Sequence, residues 1–247
     1  MTAETGRTDL VTRDAEELRK RIARTRYVLF DFDGPICGLF SGYPADAIAR
    51  AQVKWLEAQG RVGLLTEKER SSLDPHGVLS SLADRYPQSD LLADLEENLT
   101  LHELRAARVA MPTAYADPLI RTWVAVGARL AIVTNNSART VSSYLRKRGL
   151  LSCFYPHIYG RTQNLNLLKP HPETLNRALL GMGASVEASL MIGDTPSDYT
   201  AARAAGVGFL GYAGSDRSEL RMRAAGVPAR NIVRSLEPLL NAVRDRS

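Results

Sequence analysis

The chain has 247 residues, 45% hydrophobic and 24% charged, with a formal net charge of +5. That length suits one large domain, or a domain carrying an insertion, and it can bury a substantial core. The basic residues are spread along the chain instead of gathered, which argues against a nucleic-acid surface, and no apolar run approaches the ~20 residues of a membrane span.

The lead-in "MTAETGRTDLVTRD" has no basic start followed by an apolar stretch, so no signal peptide is expected. A short helix is predicted over about 14–24 and a first strand over 27–32, where Tyr27-Val28-Leu29-Phe30 reads as a run covered on both faces. Residues 44 to 110 carry helical patterns and no convincing strand. "PADAIARAQVKWLEAQG" places Ile48, Ala51, Trp55 and Leu56 at helical spacing with Gly60 as a stop, and Ser89 is a plausible cap for "DLLADLEENLTLHELRAARVA". After Pro112 the pattern alternates: helix "DPLIRTWVAVG", strand "RLAIVTN", a helix capped by Ser137, helix "HPETLNRALLGMG", strand "ASLMIGD", helix "PSDYTAARAAG", strand "VGFLGYA", and two closing helices. The run Arg146-Lys147-Arg148 ends one of these helices, where positive charge is favoured.

Strands alternating with helices imply right-handed crossovers and a mostly parallel α/β sheet, a Rossmann-like three-layer core. The helical block interrupts this alternation directly after the first strand, as an inserted α-helical cap domain would. The expected division is 1–36 and 113–247 for the core and 37–112 for the cap, joined by connections over about 36–43 and 110–117.

Ligands of open parallel sheets sit beyond the carboxyl ends of the strands, and three such ends here carry polar residues. The first ends in Asp31 and Asp33, the second in Thr134, Asn135, Asn136 and Ser137, and the third in Gly193-Asp194, with Asp198 four residues on. "LLKPHP" adds Lys169 ahead of a helix. Paired carboxylates at the end of a buried run repel one another and lose hydration, a conflict that a cation or a reaction needing them removes. Carboxylate oxygens suit Mg²⁺. An aspartate can attack phosphorus to give an aspartyl-phosphate, and a second carboxylate can protonate the leaving oxygen and then activate water. Thr134, adjacent N–H groups and Lys169 could hold the phosphoryl oxygens.

The order DFDG, IVTN, LLKP and IGDTPSD resembles the four motifs of the haloacid dehalogenase-like superfamily, spanning Asp31 to Asp198. The resemblance implies a Rossmann-like core with a helical cap and assigns roles. Asp31 is the expected nucleophile and Asp33 the general acid/base. Thr134, Asn135 and Lys169 are expected to bind phosphate. Asp31, the Asp33 main-chain carbonyl and Asp194 are expected to bind Mg²⁺, with Asp198 acting through water or the second layer of contacts. Pro35 departs from the pattern, since Thr or Val is commoner after the glycine, and it bears on loop geometry.

The expected activity is a Mg²⁺-dependent phosphatase for a small phosphorylated metabolite, cytoplasmic and monomeric or homodimeric, with no nucleic acid or membrane partner. A phosphomutase would share every core residue. A phosphonate hydrolase needs a Schiff-base lysine from the insert, where only Lys54 and Lys68 occur. A dehalogenase does not need Asp33. A non-catalytic phosphometabolite sensor would not need the intact acidic set. Asp198 also suits the N-terminus of the helix after Pro196.

Cys37 and Cys153 lack metal-type spacing, fit a reduced compartment, and Cys37 reads as a small loop hydrophobe. His76, His102, His157 and His171 share no spacing, so surface or packing roles are expected. Gly206-Val207-Gly208-Phe209-Leu210-Gly211 matches G-x-G-x-x-G, but it follows a helix and enters a strand, so Gly206 is read as a helix end and no dinucleotide site is expected.

Overall fold

The computed structural model describes residues 15–246; the expectations about the lead-in, including Asp14 at the start of the first helix, lie outside the described residues. Helix α1, over 15–24, leads to strand β1, Tyr27–Phe30. The strand is two residues shorter than predicted. After Asp31, whose N–H still reaches Ile192 O at 2.9 Å, the Phe32 N–H turns to the Asp31 Oδ1 at 2.7 Å and leaves the ladder.

The chain then enters β2, Cys37–Gly38, and the helical block: α2, Ala45–Ala58; α3, Glu67–Arg70; α4, Pro75–Ala83; and α5, Asp90–Val109. It returns through β3, Met111–Pro112. The two connections run side by side, with Cys37 opposite Pro112 and Gly38 opposite Met111 in an antiparallel ribbon. Gly60 takes φ +66° beyond α2, and Ser89 caps α5, its Oγ accepting from Leu92 N at 3.2 Å. Sequence periodicity passed over α4, although Asp74 capping a helix with Pro75 at its first position is a start signal.

Beyond the block follow α6, Ala116–Ala125; β4, Arg129–Val133; α7, Ala138–Arg148; α8, Leu151–Phe154; β5, Ile158–Tyr159; and α9, Glu173–Met182. Then come β6, Ser189–Gly193; α10, Pro196–Ala204; β7, Gly208–Tyr212; α11, Asp216–Ala224; β8, Ile232–Val233; and α12, Glu237–Arg244. The sheet order is β5-β4-β1-β6-β7-β8, and every pairing in it is parallel. The edge strands β5 and β8 have two residues each, too short for a periodic signal. Gly206 has φ +73° past the end of α10, as its reading as a helix end requires.

Alternate residues of β1 feed different cores. Val28 and Phe30 join Leu130, Ile132, Leu190 and Ile192 against Trp123, Tyr144 and Leu239 of the helices on one face. Leu29 joins Ala131, Val133 and Met191 against Leu175, Ala178 and Ala201 on the other. The helical block has a third core of its own, with Ile48, Leu56, Leu79, Leu82, Leu95 and Leu99 fully or nearly buried. Each such aliphatic side chain contributes roughly 2 kcal/mol when taken from water, which helps the insert hold its shape. Among the described residues no helix is long and apolar enough to cross a membrane.

Candidate active site

Register brings the site together. Phe30 lies opposite both Ile132 and Ile192, so Asp31, Thr134 and Asp194 emerge at the carboxyl edge of three adjacent strands. Lys169 arrives from the loop before α9 and is buried. Its Nζ lies 2.9 Å from Asp31 Oδ1, 2.6 Å from Asp198 Oδ1 and 2.9 Å from Val133 O. All three ammonium protons are therefore committed to protein acceptors. Burial works against the Lys169 charge, but Asp198 and Asp31 outweigh it and raise its pKa.

Asp31, Asp194 and Asp198 each offer a carboxylate oxygen within 4.8 Å of the others. They are not equivalent. Asp198 Oδ1 takes Lys169, and its Oδ2 accepts from Asp194 N at 3.2 Å, Thr195 N at 3.0 Å and Thr195 Oγ1 at 2.8 Å. Asp198 is saturated, and it also completes a capping box with Thr195 at the start of α10. Asp194 Oδ1, by contrast, is buried with no hydrogen-bond partner among the described residues. Burial, with Asp31 next, drives the Asp194 carboxyl well above its ordinary value. Three carboxylates facing one lysine, with a lone buried oxygen among them, fit a hard cation with oxygen ligands.

The loop after β1 is shaped around this acidic pocket. Gly34 has φ +107°, and a Cβ there would overlap the Asp194 carboxyl. Gly34→Ala should therefore cost about 1–3 kcal/mol through strain and overlap, read as a lower thermal midpoint; a midpoint equal to wild type would mean the loop can relax. Pro35 fits without conflict, because the turn draws its hydrogen bonds from Gly34 N to Cys37 O and from Ile36 N and Cys37 N to Phe32 O. None of them needs a donor at position 35. Asp33 stands outside the group of three clustered carboxylates, its Oδ1 accepting from Leu39 N at 2.7 Å. Burial pushes its carboxyl up to about 7 against the pull of that N–H. Cys37 is buried among apolar side chains, and burial raises its thiol, as its reading as a small hydrophobe requires.

Thr134 is buried; its Oγ1 donates to Asn136 Oδ1 at 3.1 Å and accepts from Asn136 N at 3.2 Å. Asn135 pairs its amide with the backbone of Lys169, donating to the carbonyl at 3.0 Å and accepting from the N–H at 2.9 Å. The Asn135 side chain thus fixes Lys169, and the Asn135 N–H is left without a partner among the described residues.

A family model, the haloacid dehalogenase-like hydrolases, matches residues 25–206. The chain belongs to the haloacid dehalogenase-like hydrolases. It is 31% identical to the phosphoglycolate phosphatase of Xylella fastidiosa over 185 residues, 74% of this chain and 77% of that protein. It is 42% identical to the phosphoglycolate phosphatase of Nitrosococcus oceani over 79 residues, 32% of this chain, so it spans about a third (34%) of that relative's length. The crystal structure of a "predicted phosphatase" from Clostridium acetobutylicum superposes with a TM-score of 0.64 at 19% identity, covering 90% of this chain and 99% of that one. That likeness shows a shared fold.

The candidate site also contains residues that sequence reasoning missed. Glu103, on α5 of the insert, is buried against the loop after β4: Asn136 Nδ2 donates to its Oε1 at 3.2 Å, and Ser137 N and Thr140 Oγ1 to its Oε2 at 2.9 and 3.4 Å. Arg161, just past β5, meets Glu103 Oε1 at 2.8 Å, Glu96 Oε1 at 2.9 Å and Thr100 Oγ1 at 3.0 Å, and donates to Asn135 O at 3.1 Å. Burial alone would raise the Glu103 carboxyl, yet Arg161, together with His76, holds it down at about 2. His76 joins the group, its Nε2 3.3 Å from Arg161 Nη1 and 3.6 Å from Glu103 Oε1. It sits in a charged cluster at the seam between insert and core, not in a surface or packing role. His102 does pack as expected, stacked on Tyr43 with a 2.9 Å hydrogen bond.

Proposed function

We propose that this hydrolase is a Mg²⁺-dependent phosphatase of a small phosphorylated metabolite, with Asp31 as nucleophile and Asp33 as general acid and base. The observation that carries this reading is the arrangement around Asp31. Its Oδ1 is fixed by Phe32 N and Lys169, while Oδ2 has no hydrogen-bond partner among the described residues and is the oxygen left to attack. Asp31 and Asp194, with the main-chain carbonyl of Asp33, are the groups that would hold Mg²⁺, and Asp198, already saturated, supports them from behind. The bound ion would neutralise phosphate charge and let a carboxylate approach phosphorus.

In the first step Asp31 Oδ2 bonds to phosphorus and the ester P–O bond breaks. The departing oxygen takes its proton from Asp33, whose carboxyl near 7 can both give and accept one at neutral pH. The Asp33 carboxylate then removes a proton from water, water bonds to phosphorus, the P–Oδ bond breaks, and orthophosphate leaves with Asp31 restored. The Asn135 N–H would grip an equatorial oxygen, and Thr134 Oγ1 would join it by turning its proton from Asn136 Oδ1 to the phosphate. Lys169 would act chiefly by orienting Asp31, since contact with phosphate requires it to give up a protein acceptor.

We assign the cap role to the block over 37–112, with the leaving group held at its seam with the core. A phosphonate-hydrolase reading gains no support, since Lys54 and Lys68 both lie on exposed faces. The relatives' names make phosphoglycolate the first compound to try, and phosphate release over phosphoglycolate, sugar phosphates and nucleotides tests the reading. Release from none of them, by folded protein with Mg²⁺, would overturn it.

A metal prediction follows from the lone Asp194 oxygen. Chelation should abolish turnover, and Asp194→Ala should raise the Mg²⁺ needed for half-maximal rate by about tenfold or more. Ca²⁺, with its larger and looser shell, should substitute poorly. Undiminished rate in chelator would contradict the metal assignment.

A further inference from the structure

We propose that Glu103, supplied by the helical insert, is a positioning residue for the phosphate-gripping loop 134–137. The inference rests on the phosphatase reading and adds a residue from outside the core motifs to it. Its carboxylate is fully buried and faces the loop with both oxygens: Oε1 toward Asn136 Nδ2, Oε2 toward Ser137 N. The consequence for Thr134 runs through the Asn136 amide. With Nδ2 turned to the carboxylate, Oδ1 must face Thr134, and there it receives the hydroxyl proton. A flipped amide would set Oδ1 against the Glu103 charge, so that charge fixes the amide and, through it, the Thr134 oxygen.

Arg161 closes the other side of the loop. Its backbone N–H donates to Asn136 O at 2.9 Å and its Nη1 to Asn135 O at 3.1 Å. Both loop carbonyls are thus held by Arg161, and the N–H groups of Asn136 and Ser137 by Thr134 and Glu103. What remains to meet a phosphoryl oxygen is the Asn135 N–H; the Thr134 hydroxyl beside it, held in place by Asn136, donates to one by turning its proton from Asn136 Oδ1. Glu103 touches no substrate in this account; it sets the shape of the groups that do.

The test measures inorganic phosphate binding by calorimetry with Mg²⁺ present, in wild type, Glu103→Gln and Glu96→Gln. A glutamine at 103 keeps the size but offers one acceptor oxygen where two are used. Phosphate should bind about tenfold more weakly to Glu103→Gln, with KM raised alongside and Mg²⁺ affinity in the absence of phosphate unchanged. Glu96→Gln weakens the same Arg161 without touching the loop and should retain phosphate affinity, which a general loosening of the seam would not allow. If Glu103→Gln does not fold, Asn136→Ala, which leaves the Arg161–Glu103 pair intact, should show the same tenfold loss. Wild-type phosphate affinity in folded Glu103→Gln, or in Asn136→Ala where the first does not fold, would overturn the inference alone. Absence of phosphate binding by wild type would overturn the phosphatase reading and this inference with it.

Discussion

Asp31→Asn should lower phosphate release by more than about a thousandfold while leaving the fold intact. The amide can reproduce what the structure asks of Asp31 locally, because its oxygen can still accept from Phe32 N and from Lys169 Nζ, the two partners of Oδ1. It cannot form an acyl phosphate. Stability should move the other way. Burial and Asp198 push the Asp31 carboxyl up despite Lys169, so removing its charge relieves repulsion toward Asp194 and Asp198. In chelator the thermal midpoint of Asp31→Asn should be no lower than that of wild type. A folded variant with near wild-type turnover would refute the nucleophile assignment, and a much lower midpoint would show that Asp31 is chiefly structural.

Arg161→Ala should be the most destabilising single change at the seam, by about 3–5 kcal/mol, because it strands the fully buried Glu103 carboxylate. For a chain of this size that is a fall of roughly 10 °C in thermal midpoint. The pH dependence has a definite sign. Against burial, Arg161 and then His76 lower the Glu103 pKa from the ordinary 4.5 to about 2, and a depressed carboxyl contributes stability that is fully present above its unfolded value. That contribution, on the order of 3 kcal/mol, is lost as pH falls from 4.5 toward 2. The gap in midpoint between wild type and Arg161→Ala should therefore narrow over that window. A gap that stays constant with pH would mean the loss comes from packing of the arginine stem and not from the ion pair.

The contrast between these two sites shows what a sequence can and cannot disclose. Asp31, Thr134, Lys169 and Asp194 were legible because each stands at the end of an element with its own local signal. A parallel sheet then puts such ends side by side, as the shared register of Phe30, Ile132 and Ile192 does. The acidic cost at Asp31 and Asp33 was also visible in advance, since carboxylates closing a buried run demand compensation. Glu103 and Arg161 carried no such signal. They are 58 residues apart in sequence, one inside an amphipathic helix and the other past a two-residue edge strand, and only the docking of insert on core makes them neighbours. His76 is 85 residues from Arg161, so the absence of a common spacing among histidines told nothing about this one. Asn135 marks a subtler limit: the sequence pointed to the phosphate but not to the service its side chain gives the backbone of Lys169.

The most direct test of the central claim is to catch the covalent intermediate. Wild type and Asp33→Asn would be quenched in acid during turnover with Mg²⁺ and an aryl phosphate, whose leaving oxygen departs without the proton Asp33 supplies, so that only the second step of Asp33→Asn is impaired. Borohydride then reduces an acyl phosphate to an alcohol, and peptide mass spectrometry locates it. The account predicts homoserine at position 31, dependent on substrate and more abundant in Asp33→Asn. Reduction at another carboxylate, or none in either protein while wild type releases phosphate, would contradict it.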